Sequence, residues 1–203
     1  MNIKKLNQKI RLLALGDYKE LVIFINNIEN NLTNLEKLEL YTIGAMYASS
    51  SGCFENLKFI VKKMPEILLE KEQGILRMTV DIKDFNNFKK VINFLLEYSE
   101  KIDFNARENS WLKECIKNGS LDKIEYVIEN VRNLEINNNI IKTLVRNKNK
   151  EMFDYFIFNL DLKNNHSLEN WLIENNHEKE LEIIKKRDLF NNLDKDLIVK
   201  PNK

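Results

Sequence analysis

The chain has 203 residues, 43% of them hydrophobic and 31% charged, and its 32 Lys and Arg nearly cancel its 31 Asp and Glu. Interspersed, balanced charge is not the electrostatic footprint of a nucleic-acid or anionic-lipid binder, so neither is expected as a partner. No apolar run approaches the roughly 18 residues of a membrane span, and "LLAL" before Gly16 is too short for a secretory core, so a cytoplasmic location with no membrane is expected.

Taken from the N-terminus, the predicted elements repeat. Leu12-Leu13 end a short helix, Gly16 marks a turn, and Tyr18, Leu21, Phe24 and Ile25 follow at +2, +5, +8 and +9 from it. Spacings of three and four return to one face of an α-helix, so these residues form a stripe. The same frame recurs with Ala48-Ser49, Gly52, Phe54, Leu57, Ile60 and Val61. It continues with Thr79-Val80, Lys83 in the turn, and Phe85, Phe88, Val91 and Ile92. The fourth copy has Cys115-Ile116, Gly119, Leu121, Ile124, Val127 and Ile128. In the fifth, Leu144-Val145 precede Lys148, and Met152, Phe153, Phe156 and Ile157 follow; in the sixth, Leu172-Ile173 precede Asn176, with Leu181 and Ile184 beyond.

Leu21, Leu57, Phe88, Ile124, Phe153 and Leu181 thus recur with a period of about 32 residues, the sign of a repeat array. One helix–turn–helix unit cannot bury both its faces and must stack on its neighbours. The expected fold is all-α, a single solenoid of six helical hairpins spanning 4–34, 35–70, 71–102, 103–135, 136–163 and 164–203. The six anchor residues are expected in its core, and Phe59, Phe94, Tyr126, Tyr155 and Phe158 in packing between repeats. Gly119 is expected to close a helix at positive φ. Lysine tolerates that conformation poorly, so the turns at Lys83 and Lys148 are expected to be distorted.

Residues 102 to 129, "IDFNARENSWLKECIKNGSLDKIEYVIE", resemble the ankyrin repeat. Ile102-Asp103-Phe104-Asn105-Ala106 stands where that family has its Ala-Asp-Val-Asn-Ala linker. Ser110-Trp111-Leu112 stands for Thr-Pro-Leu, Cys115-Ile116 for Ala-Ala, and Gly119 for the inter-helix glycine. Fainter linkers are Leu134-Glu135-Ile136-Asn137 and Leu160-Asp161-Leu162-Lys163. The complete Thr-Pro-Leu-His tetrapeptide is missing and Ala-Ala is mostly replaced by larger residues, so the family's β-hairpin fingers are expected to be short or absent in several units. The tetratricopeptide or HEAT type of hairpin array is the other reading. In ankyrin-like proteins partners contact the hairpin tips and the two residues before the inter-helix glycine. The resemblance therefore implies partner-binding roles for Arg107, Glu108, Asn109, Asn138, Asn139, Lys117, Asn118, Arg146 and Asn147, with Trp111 close by.

No motif carries chemistry. There is no P-loop, dinucleotide fingerprint, Gly-x-Ser-x-Gly or zinc spacing. His166 and His177 share no helix face and are read as surface residues, and Cys53 and Cys115 as free thiols. Trp111 and Trp171 are read first as packing residues. Lys142, Arg146, Lys148 and Lys150 make a small basic cluster, interrupted by Glu151 and Asp154 and read as a solvated turn. No catalytic residue, cofactor or metal is expected. The expected function is non-catalytic recognition of another protein, masking or inhibiting it. An immunity protein or a phage or viral inhibitor fits this size and the asparagine-rich, low-GC composition. The alternative is an enzyme or nucleic-acid binder whose site is assembled from scattered residues.

Overall fold

The computed structural model describes residues 2–132, 134–159 and 166–196; the linker at 160–163 and the side chain of His166 lie outside this description. Regular structure among the described residues is helical throughout, with no strand. In chain order it comprises α1 (Ile3–Ala14), α2 (Tyr18–Ile28), α3 (Asn34–Ser51), α4 (Phe54–Lys63), α5 (Glu70–Met78) and α6 (Phe85–Leu96). These are followed by α7 (Ala106–Asn118), α8 (Leu121–Asn130), α9 (Asn138–Asn147), α10 (Lys150–Asn159), α11 (His166–Glu174) and α12 (Glu178–Asp196). Short 3₁₀ turns occupy Glu29–Asn31, Pro65–Leu69 and Thr79–Asp81. The chain divides into two compact units, 1–134 and 135–203, a division that falls in sequence one residue from the expected boundary of the fourth and fifth repeats.

In the first unit the first helix of each hairpin packs on the next, and so does the second. α1 lies on α3, α3 on α5, and α7 on the Thr79–Asp81 turn that ends α5; α2 lies on α4, α4 on α6, and α6 on α8. The anchors Leu21, Leu57, Phe88 and Ile124 are fully buried in these contacts. α3 is the central element because it carries small residues. A Cβ on Gly44 would stand 2.8 Å from Ile10 Cδ1, so α1 approaches its backbone closely, while Ala45, Ala48 and Ser49 are buried beside it.

Contacts between hairpins recur in register. Tyr18 at +2 meets Phe59 at +7 of the next hairpin edge-on, with centroids 5.9 Å apart, and Phe85 meets Tyr126 in the same positions at 6.1 Å. Such edge-to-face pairs add to area burial. The +4 residue of the second helix sits on the preceding turn. Asn56 Nδ2 donates to the carbonyls of Leu13, Ala14 and Gly16 at 3.0–3.3 Å, adding to the Gly16 N–H that Leu13 O already accepts and serving two further acceptors at the end of α1. Asn87 packs against Gly52, and the buried Lys123 donates to the Ile82 carbonyl while lying over the Phe88 ring. First helices are tied likewise: Ser49 Oγ donates to the Ile75 carbonyl at 2.9 Å, and Trp111 Nε1 to Thr79 Oγ1 at 2.9 Å.

In the second unit α9 packs on α10, and α12 packs on both α10 and α11. Phe153 and Leu181 are buried, as are Met152, Phe156 and Ile157. Four apolar residues depart from the expected pattern, Tyr18 of the stripe being 44% exposed. Leu12 is 65% exposed, Ile173 56% and Phe158 60%, so Phe158 does not serve packing between helices.

The turns correct the glycine reading. Gly52 does take the left-handed conformation, with φ 71° and ψ 20°. Its N–H donates to Ser49 O, and Cys53 N–H donates to Ala48 O, the paired bonds that close a helix end. Asn176, with φ 59°, repeats this arrangement: its N–H donates to Ile173 O, and His177 N–H to Leu172 O. Lys148 is left-handed too, with φ 55° and ψ 21°, despite its side chain. Gly119 is not; its backbone is extended, with φ −91° and ψ 167°. A glycine is needed there for space, since a Cβ would fall 2.2 Å from the Cys115 carbonyl oxygen.

Candidate functional site

Three first-helix elements of the first unit wall a groove of about 310 Å³. α3 contributes Met46, α5 contributes Gly74 and Met78, and α7 contributes Trp111 and Asn118. Gly74 makes the groove possible, because a Cβ there would lie 3.0 Å from Met46 Sδ. The thioethers of Met46 and Met78 are half-buried and give the floor an adaptable, polarisable surface. Lys71, Arg77, Asp81 and Glu114, all exposed, also line the groove, so the rim carries both signs.

The α5 wall is strained. Lys71 and Gln73 have φ of 47° and 61°, a conformation that side chains disfavour, and Gln73 Oε1 is buried without a hydrogen-bond partner among the described residues. Strain and orphaned polar atoms concentrate where structure serves something other than stability. Cys115 is buried on α7. Burial pushes its thiol up to about 12, against the pull of the Lys123 charge, so it stays protonated. No group of His, Cys, Asp or Glu among the described residues is placed to hold a metal ion.

The residues implied by the ankyrin resemblance divide between surface and interior. Arg107, Glu108 and Asn109 form a left-handed turn, with φ of 54°, 53° and 61°, at the head of α7 rather than a hairpin finger. Arg107 and Glu108 point to solvent, but this turn carries Asn109 inward to 1% exposure. Trp111 is 2% exposed, held by its bond to Thr79 and by Phe104 edge-on at 5.4 Å. Asn109 and Trp111 are therefore interior packing residues and not surface anchors. Lys117 and Asn118 are exposed, Lys117 pairing with Glu114 at 2.7 Å.

In the second unit Asn138 and Asn139 open α9, where Asn137 accepts the N–H groups of Asn139 and Ile140; they too are not a hairpin tip. Arg146 is exposed and Asn147 half-buried. Arg146 and Lys142 lie over the Trp171 ring at 5.2 and 5.3 Å, and His177 is stacked on that ring at 5.5 Å.

The groove thus gathers Asn118 and the edge of Trp111, and adds Met46, Lys71, Gly74, Arg77, Met78 and Glu114, which sequence reasoning missed. Gly74 was the available signal, being one of five glycines and out of register with the turns. No known protein family, characterised protein or solved structure matches the chain.

Proposed function

We propose that the chain is a divergent ankyrin-like array of helical hairpins that recognises another protein without catalysis. The recurrence of the same contacts between successive hairpins, Tyr18 with Phe59 and Phe85 with Tyr126, supports the repeat reading. The observation that carries the functional reading is the groove on the first-helix face. Its methionine floor, mixed-charge rim and strained α5 wall suit a partner side chain, and its chemistry offers no poised nucleophile or acid–base pair. Occupancy then does the work in the cytoplasm: the protein masks or inhibits its partner, as an immunity protein or a phage or viral inhibitor does.

Affinity capture from the native host followed by mass spectrometry identifies the partner. The double variant Glu114→Lys and Asn118→Arg then tests the groove. Both positions are exposed on α7, so stability changes within about 0.5 kcal/mol are expected. Partner affinity falls at least tenfold if the groove is the contact. Unchanged affinity in a stably folded double variant places recognition elsewhere.

A further inference from the structure

The second unit holds a separate cavity of about 330 Å³ between the α9–α10 turn and the first turns of α12. Leu144, Val145 and Phe153 are buried at its base. Its rim is basic: Lys148, Lys150 and Lys179 are all exposed, against the single carboxylate of Glu180. Glu180 itself faces His177 Nδ1 at 3.8 Å. None of the three ammonium groups forms an ion pair or hydrogen bond with a described residue.

Lys148 stands out among them. It occupies the left-handed position that Gly52 and Asn176 occupy at the same register, with φ 55° where glycine or asparagine is less strained. The reversal from α9 to α10 requires the left-handed conformation, but folding gives no reason for a lysine to hold it. The exposed ammonium at the cavity rim supplies one, because strain of this kind persists where the side chain is used.

We infer that this cavity docks an acidic segment of a partner protein, which inserts one apolar side chain and lays flanking carboxylates on Lys148, Lys150 and Lys179. The volume lies at the bottom of the range for small-molecule sites, which suits one large side chain better than a cofactor. An apolar base under unneutralised ammonium groups selects a ligand that is apolar and acidic together, and free phosphate meets only half of that requirement. The inference rests on the protein-binding reading and adds a partner chemistry and a second contact surface.

The test uses the full chain and a pool of end-blocked nonapeptides, each with a central Leu or Phe between Asp and Glu residues, measured by fluorescence anisotropy. Binding that weakens as salt rises is expected, as is its loss when the acids become Gln or the central residue becomes Ser. Lys148→Gly relieves the strain and should raise the melting midpoint. It should also weaken the peptide about fivefold, the equivalent of one exposed charge pair at about 1 kcal/mol. Lys150→Gln with Lys179→Gln should weaken it further. A variant both more stable and weaker in binding cannot be explained by misfolding. The inference is overturned if no peptide binds, if Lys148→Gly binds as wild type, or if phosphate, single-stranded DNA or anionic vesicles displace the peptide at equal charge. The groove variant Glu114→Lys with Asn118→Arg separates the two proposals. Retention of the captured partner by this variant while the peptide still binds overturns the groove alone, whereas loss of the captured partner by this variant with no peptide bound by the wild type overturns the cavity alone.

Discussion

Gly119 and Gly16 hold the same register and have different physical reasons for being glycine. At Gly119 a Cβ meets a carbonyl oxygen at 2.2 Å, whereas at Gly16 the nearest such atom is Leu12 O at 3.7 Å, ordinary contact. Gly119→Ala should therefore destabilise by about 1 kcal/mol or more through steric displacement of the α7 end. Gly16→Ala should change stability by no more than about 0.5 kcal/mol. Urea melts of the two variants decide the point, and equal effects would refute the distinction. The buried anchors belong to the same scale. Truncating Leu57, Phe88, Ile124 or Phe153 to Ala should cost roughly 2–5 kcal/mol each, since each leaves a cavity between helices that relaxes only partly. A loss below about 1 kcal/mol at two of them would break the register.

Between elements, polar struts decide how one hairpin sits on the next. Asn56 supplies one amide to three carbonyls at the end of α1. Asn56→Ala should cost about 1–3 kcal/mol because it removes the amide that serves the Ala14 and Gly16 carbonyls, whereas Leu13 O keeps the Gly16 N–H. Asn56→Asp should cost more, since it brings a negative charge to the negative end of a helix. Glu29 makes a second strut, from the end of α2 to Lys63 of α4 and to Tyr41 of α3, whose hydroxyl donates to it at 3.2 Å. The Lys63 ammonium is the main cause that holds the Glu29 carboxyl below its usual range, against a smaller desolvation effect. A carboxyl lowered on folding contributes stability that is complete above its unfolded value and lost as pH falls through the folded one. Wild type should therefore lose stability below about pH 4.5 faster than Glu29→Gln does. Parallel curves for the two proteins would remove the strut from the account.

At the scale of the whole molecule, the helices of the described residues, which include no strand, predict a far-UV circular dichroism spectrum dominated by helix. Strand content near a quarter, the level of ordinary mixed proteins, would contradict it. The all-helical class and the core were legible in the residues because the stripe at +2, +5, +8 and +9 is a local geometric property of one helix. Any chain with Leu57, Ile60 and Val61 at those spacings must hide that face. The linker conformations, the roles of Trp111 and Asn109, and the Gly74 groove were not legible, because each depends on what a neighbouring hairpin places opposite. Trp111 is interior because Thr79, 32 residues earlier, offers its hydroxyl. Lys148 is left-handed because α9 and α10 must reverse there, whichever residue stands at the turn. Periodicity in the sequence thus determined which faces are apolar, since that follows from backbone pitch alone. Tertiary packing decided which polar residues are enclosed, where α3, α5 and α7 leave a groove, and where the lysine-rimmed cavity opens, since those depend on distances between segments that no local spacing encodes.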